Sequence, residues 1–416
     1  MDESVEQSVA QASFDADGDG VERATVEDSE RFKSNYLSAA MRTEQQPVQV
    51  LVDFIDVSIA TGEPPSIIEL KGNSRELYNN RLHDKDVECI VMALEASSHS
   101  LITTLVFSWN QLTDVGCMCL VEYLKGENSI SRLDLSYNDI GEEGGKALAG
   151  LLKSNKTLAH LALNGNKVGD RGGLMLAEAL CENTTLRTAE LSNMELGHQT
   201  LGMMGIALSK NQSLLVLNID RPCLFSCQEE AIEHLAMGLR VNTSLRSLSL
   251  KNAQVHDRGC FLLCDNLVLN YSLTELDLSS NKLTEDCGPS LAHLLEHNEH
   301  ISKLYLANNQ LHDRGCTALS QSLVDNASIT DLDVAYNGID NDGLLQLASA
   351  VHKHGLLTRL RAWGNLIKPQ STTALAYACQ QLKGLKYCDI LVQLIDEVPN
   401  AVRKVTPDTF YQPGMA

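Results

Sequence analysis

The sequence predicts an α/β solenoid, an open horseshoe with parallel β-strands on the concave face and α-helices on the convex face. Three observations carry that reading. Leucine supplies 65 of the 416 residues. A nine-residue pattern, apolar-x-x-Leu-x-Leu-x-x-Asn in its ideal form, begins at Ile102, Ile130, Leu158, Leu186, Leu214, Leu245, Leu273, Ile301, Ile329 and Leu357, in steps of 28 residues with one step of 31 after Leu214. Within each period a strand rhythm precedes a helix rhythm, and a fixed period of this length marks a stacked-repeat architecture.

Residues 1–64 come first and differ from the rest. They hold 14 acidic and 4 basic residues, nearly half of the net charge of −21, and only one leucine, Leu37, falls in the first fifty positions. High charge with little apolar content predicts an acidic, largely disordered N-terminal arm. An imperfect first unit follows from about Pro65, with IIELKGN and then a longer loop, SRELYNN. Ten further units bring the count to eleven over residues 65–384, and residues 385–416 form a C-terminal cap and tail. Length alone suggests two or three domains; the repeat instead makes residues 65–384 a single domain.

Each unit has two halves. ISRLDLSYN (130–138) alternates apolar and polar side chains, as a half-buried strand does. GKALAGLLKSN (145–155) sets leucines three and four apart with alanines between, as do GLMLAEALCEN (173–183), GPSLAHLLEHN (288–298) and CTALSQSLVDN (316–326). That is a helix with a small-residue face. Strand, helix, strand in one direction is the crossover logic of parallel sheets. One unit cannot bury its apolar face alone, so neighbours stack and share a core.

The ninth-position asparagine closes the strand, because its amide both donates to and accepts from backbone groups in the turn. It stands at Asn110, Asn138, Asn166, Asn281, Asn309, Asn337 and Asn365, whereas Met194, Pro222 and Ala253 replace it in three consecutive units. One of these is the 31-residue unit containing IDRPCLFSCQEE. The middle is therefore irregular, either as drift that the neighbours tolerate or as a re-aimed docking loop.

The 28-residue unit with LxLxxN and a full helix resembles the ribonuclease-inhibitor type of leucine-rich repeat. The resemblance implies a leucine-rich-repeat solenoid with a non-enzymatic protein-interaction role inside the cell, and it transfers no catalytic residue.

Other chemistry is weakly represented. FDADGDGVERATVE (14–27) places Asp15, Asp17 and Asp19 as in a calcium loop, but position 12 is Val26 where a bidentate glutamate belongs. It is a weak calcium candidate inside an acidic run. His293, Glu296 and His297 spell H-x-x-E-H, yet the histidines occupy variable positions of a repeat helix, so no metal site is favoured. Cys223 and Cys227, and Cys260 and Cys264, are spaced by four, while Cys117, Cys260 and Cys316 follow a glycine at one place in the unit and read as small core residues. Six Asn-x-Ser/Thr sequons, at Asn155, Asn183, Asn211, Asn242, Asn270 and Asn326, all fall at the helix-to-strand junction. The architecture accounts for them better than glycans do. No phosphate loop, nucleophile triad or paired-carboxylate signature is evident, so no catalytic residue and no cofactor are expected.

Binding is expected on the concave face, where alternate strand residues point. Two groups combine charges with the aromatic and arginine anchors that interfaces favour. The first holds Trp109, Arg132, Asp134, Tyr137 and His160; the second holds Lys303, Tyr305, Asp331, Asp333, Tyr336, Arg359, Arg361 and Trp363. The acidity disfavours nucleic acid. No apolar run approaches a membrane span, and MDESVEQSVA is acidic where a signal peptide is basic and then apolar. The expectation is a monomeric, intracellular scaffold for a protein partner, cytoplasmic, with nucleus or cilium as alternative sites. Two further readings are a regulator of an enzyme, such as a small-GTPase activator, and a structural component of a large assembly such as a cilium.

Overall fold

The computed structural model describes residues 26–97, 102–126, 129–224, 228–395 and 398–404. Among the described residues, twelve short strands form one sheet in unbroken chain order, each parallel to the next. They are β1 (Ile67–Glu69), β2 (Thr104–Val106), β3 (Arg132–Asp134), β4 (His160–Ala162), β5 (Thr188–Glu190), β6 (Val216–Asn218), β7 (Ser247–Ser249), β8 (Glu275–Asp277), β9 (Lys303–Tyr305), β10 (Asp331–Asp333), β11 (Arg359–Arg361) and β12 (Tyr387–Cys388). The sheet does not close on itself. Helices α1 (Val26–Arg42) and α2 (Gln49–Thr61) precede it. The crossovers carry α3 (Asp84–Ser97), α4 (Asp114–Leu124), α5 (Glu142–Ser154), α6 (Gly169–Leu180), α7 (His198–Lys210), α8 (Gln228–Val241), α9 (Asp257–Leu267), α10 (Gly288–His297), α11 (His312–Leu323), α12 (Asn341–His354) and α13 (Pro369–Gln381). An antiparallel hairpin, β13 (Ile390–Ile395) and β14 (Val398–Arg403), follows β12.

The pattern residues build one continuous core between sheet and helices. Leu133, Leu135, Leu161, Leu163, Leu276 and Leu278 are all buried. The ninth-position asparagines work as expected. Asn138 Nδ2 donates to Phe107 O and Leu135 O, both at 2.9 Å, and its Oδ1 accepts from Leu112 N at 3.1 Å. A second asparagine ladder lines the helix-to-strand junctions. Asn270 Nδ2 donates to Leu239 O and Asn242 O, and its Oδ1 accepts from Ser272 N and Leu273 N. All six sequon asparagines are buried at these junctions. Their amides are committed to the backbone.

A third ladder is invisible in the spacing. Asp114 Oδ1 accepts from Gly141 N (2.6 Å) and Gly144 N (2.9 Å), Asp170 Oδ1 from Gly197 N and Thr200 N (both 2.9 Å), and Asp313 Oδ1 from Asp340 N (2.7 Å) and Gly343 N (3.1 Å). A carboxylate in the first turn of one helix thus caps the next helix, where orphan N–H groups and the positive dipole end favour an anion.

The structure corrects two expectations. Residues 26–61, expected within a largely disordered arm, form α1 and α2. Phe32, Tyr36, Ala39 and Ala40 of α1 are buried, as are Leu51, Val52 and Ile55 of α2. Tyr36 Oη accepts from Val48 N at 2.8 Å, and Thr43 Oγ1 lies 2.9 Å from Cys89 Sγ on α3. These helices cover the end of the stack, as a terminal repeat must. Acidity averaged over 64 residues hid two apolar stripes at i, i+4 spacing. Second, the eleven-unit count stops one strand short: Leu385 lies one further period after Leu357, and β12 pairs with β11. The irregular middle keeps its sheet, in agreement with drift that the neighbours tolerate, and residues 225–227 of its long loop lie outside the described residues. Val216 pairs with Ser247 in the same parallel register as its neighbours, and Met194, Pro222 and Ala253 stay buried in the asparagine position. The irregularity appears between helices, where α7 and α8 meet backbone to backbone. A Cβ on Gly205 would lie 2.2 Å from His234 O, and one on Gly238 2.1 Å from Gly205 O.

Candidate partner-binding face

Strand register brings the C-terminal group together. One row across the concave face runs Glu275, Lys303, Asp331, Arg359, Tyr387, and the next runs Asp277, Tyr305, Asp333, Arg361. The first row alternates in sign over its four charged members. Lys303 Nζ lies 3.1 Å from Glu275, and Arg359 Nη1 lies 4.0 Å from Asp331. Arg361 Nη1 sits 3.5 Å from Asp331 and 3.7 Å from Asp333. Its guanidinium also lies over the rings of Tyr305 (5.6 Å) and Tyr387 (6.0 Å). Tyr305 Oη donates to Asp331 Oδ2 at 3.3 Å.

Accessibility divides this group. The Asp331 side chain is 4% exposed and that of Asp333 14%, against 32% for Arg359 and for Arg361. The aspartates are therefore the buried counter-ions, and the arginines are what the face presents. Burial pushes the Asp331 carboxyl up, with Arg361 opposing. Burial lifts Asp333 to about 7, against the Ala335 N–H bond and Arg361 and with help from Asp389 and Asp277. The Asp389 carboxylate accepts from Ala362 N (2.9 Å) and Trp363 N (3.1 Å) and extends the network beyond β11. Trp363 is half-buried against the core. Sequence reasoning left Glu275, Asp277, Tyr387 and Asp389 out of this group. The signal for the last two was the unread final period.

The N-terminal group is looser. Trp109 and Tyr137 stack with ring centroids 3.9 Å apart and planes 15° apart. Both have positive φ, 64° and 57°, as does Tyr336 at 53°. The same eighth position is Gly165, Asn193, Arg221, Asn252, Ser280, Asn308 and Gly364 in the other units, all with positive φ. Each of these units thus ends its strand on one left-handed residue, a conformation that residues other than glycine and asparagine adopt rarely. Tyr137 is also covered from the far side, because a Cβ on Gly165 would meet its ring at 2.5 Å, and Tyr336 lies on Gly364 in the same way. Asp134 Oδ1 accepts from Ser136 N at 2.9 Å and is occupied with its own turn. His160 Nε2 lies 3.4 Å from Glu190. Burial, and then the Arg132 charge, hold the imidazole down to about 4, so at neutral pH this contact is not an ion pair.

Of the other sequence candidates, Asp15, Asp17 and Asp19 lie outside the described residues. His293, Glu296 and His297 do bring ligand atoms within 4.8 Å of one another, but all three are exposed on the surface of α10. His297 Nδ1 is bound to His293 O at 2.9 Å, which leaves that nitrogen engaged with its own helix. Cys260 and Cys264 sit with sulfurs 3.8 Å apart in the core; Cys227 is outside the described residues. No helix among the described residues is long and apolar enough to cross a membrane.

Known proteins share the repeat. The family model described as Leucine Rich repeat matches residues 98–121, 128–149, 154–177, 241–264, 297–320 and 325–348, and a second, Leucine Rich Repeat, matches 272–294. Leucine-rich repeat-containing protein 34 of Homo sapiens is 41% identical over 68 residues, 16% of this chain and 15% of the relative. The Mus musculus protein of that name is 37% identical over 75 residues, 18% of each. The matches therefore span under one-fifth of these relatives' length. Two solved structures are similar at low scores. Leiomodin-1 Actin-Binding Site 2 has 15% identity and a TM-score of 0.32, over 38% of this chain and 90% of that one. An internalin from Listeria monocytogenes has 16% identity and a TM-score of 0.40, over 79% and 87%. With repeat segments matched along strands and helices that pair in register, the chain carries leucine-rich repeats stacked in an open α/β solenoid.

Proposed function

We propose that this chain is a non-enzymatic scaffold that holds a protein partner on the C-terminal part of its concave face. The observation that carries the reading is the double row from β8 to β12. Buried aspartates there fix two arginines and a tyrosine in place, so the anchors are ordered before a partner arrives and less side-chain entropy is lost on binding. The 28-residue units with full helices support the ribonuclease-inhibitor subtype, and the free, largely buried cysteines support a reducing, cytoplasmic setting.

The test compares faces within one protein. Arg359→Glu with Tyr336→Ala changes accessible groups and leaves the buried aspartates alone. Proteins recovered with the wild-type chain should be lost from this variant, and retained by Arg132→Glu with Tyr137→Ala, with circular dichroism unchanged in both. Retention by the first variant rejects the C-terminal face. A second reading, a structural part of a larger assembly, is favoured by exposed Ile206, Met237, Val241, Phe261, Leu269 and Tyr271 on and beside α7 to α9. It predicts that Met237→Glu with Phe261→Glu, and not the concave variant, removes the recovered proteins. An enzyme regulator such as a small-GTPase activator would use the concave face as well, and turnover by a GTPase panel with the chain added separates it from a passive scaffold.

A further inference from the structure

The last helix and the last strand of the solenoid bring two thiols together. Cys379 on α13 and Cys388 on β12 have their sulfurs 3.4 Å apart, with the Cys379 S–H donating to Cys388. Both are half-buried free thiols. We propose that Cys388 is a reactive thiol of this chain and that it forms a reversible disulfide with Cys379 by exchange with a small-molecule disulfide such as oxidised glutathione.

The geometry supplies what exchange needs. A disulfide bond is about 2.05 Å long, so the sulfurs must close by little more than one ångström, across a separation of nine residues. Exchange runs through the thiolate. Around Cys388, the Cys379 hydrogen bond lowers the thiol below its ordinary value, the Ile390 N–H and Lys404 act in the same direction, and burial and Asp389 oppose them. The same hydrogen bond and burial push Cys379 up. One sulfur is thus set as the attacking thiolate and the other as the protonated partner. Elsewhere burial pushes thiols up, to about 12 in Cys117 and Cys316 and to about 11 in Cys119.

The Cys388 thiolate attacks one sulfur of oxidised glutathione, forms the mixed disulfide and releases one glutathione thiolate. Cys379 gives its proton to solvent and attacks Cys388 Sγ. The second glutathione thiolate leaves and takes up a proton. Two protein thiols are oxidised and one glutathione disulfide is reduced. The new bond would tie α13 to the edge strand beside Tyr387, whose ring Arg361 and Lys404 flank. This chemistry is independent of whether the concave face binds a partner.

The full-length folded chain is treated with iodoacetamide at pH 7 and mapped by peptide mass spectrometry, and separately incubated with oxidised glutathione. Cys388 should be alkylated at least about tenfold faster than Cys119, with a rate that titrates below an ordinary thiol. Oxidised glutathione should yield a Cys379–Cys388 linked peptide that reductant removes. Cys379→Ser should stop at the glutathione adduct on Cys388. Equal alkylation of Cys388 and Cys119, or an adduct on Cys388 that persists in the wild-type chain without the link, overturns the proposal.

Discussion

The two halves of the concave sheet are built from the same unit and solve opposite electrostatic problems. Towards the N-terminus, the inward row from β2 to β6 reads Thr104, Arg132, His160, Thr188, Val216, and it buries a neutral imidazole. Towards the C-terminus, β8 to β11 carry Glu275, Lys303, Asp331, Arg359, and carboxylates are buried beside the cations that hold them. The repeat fixes where an inward side chain stands. It does not fix what stands there, so adjacent stretches of one sheet differ in charge without differing in backbone.

The largest expected effect removes the cation that the C-terminal half depends on. Arg361→Met keeps the aliphatic packing and leaves Asp331 and Asp333 without their shared partner. Breaking a partly buried pair this way is expected to destabilise by about 2–3 kcal/mol, whereas Arg132→Met in the other half should change stability by under about 1 kcal/mol. Urea melts of both variants check it; similar values would erase the distinction between the halves.

The halves should also respond to acid in opposite directions. Asp333 has its folded value raised to about 7, so between about pH 4 and 7 the folded state binds the proton that the unfolded chain releases. Stability from this group is present at low pH and is lost as pH rises to about 7. Asp331 and Asp389, also raised, act in the same sense. His160 is the reverse. Its folded value is depressed to about 4, the unfolded chain takes up a proton near about 6.5, and stability is lost as pH falls through that window. Solenoids open locally. Hydrogen exchange at about pH 5 and about pH 7.5 should therefore show relative protection moving toward β9–β11 at the lower pH and toward β3–β5 at the higher. Asp333→Asn keeps an acceptor for Ala335 N and should raise the melting temperature at about pH 8 by about 2–4 °C, while His160→Gln should flatten the acid limb. A uniform change along the sheet would sink the comparison.

Much of this was legible in the sequence because a period is a strong signal. The strands, the crossover helices and the ninth-position asparagines follow from spacing alone, and so does the alignment of Lys303 with Asp331 and Arg359. What escaped was either averaged away or outside the pattern. The stripes of Phe32, Tyr36, Leu51 and Ile55 lie inside an acidic segment whose composition masked them. The capping role of Asp114, Asp170 and Asp313 depends on a contact with the next unit. Burial decided the rest: spacing put Asp331 and His160 on the concave face, but only neighbouring side chains determine that they are covered.

The smallest expected effect concerns the aromatic residues at the ends of the strands. Tyr137 is held on both sides, by Trp109 at 3.9 Å and by Gly165. Tyr336 rests on Gly364, and the two tyrosines are about equally exposed, 37% for Tyr336 and 39% for Tyr137. Both adopt the left-handed backbone that Asn193, Asn252 and Asn308 occupy in other units, so asparagine can replace either without new strain and the two variants differ only in the ring contacts they lose. Tyr137→Asn is expected to destabilise by about 0.5–1.5 kcal/mol, the worth of an aromatic stack, and Tyr336→Asn by less than about 0.5 kcal/mol. Binding should rank the other way, since Tyr336 belongs to the group that holds the ordered arginines, whereas the Tyr137 ring is already stacked on Trp109. Thermal melts and partner recovery for the two variants measure both orders. If Tyr336→Asn proves the more destabilising and leaves recovery intact, the C-terminal aromatic is a packing residue, and the division of labour between the halves is wrong at that position.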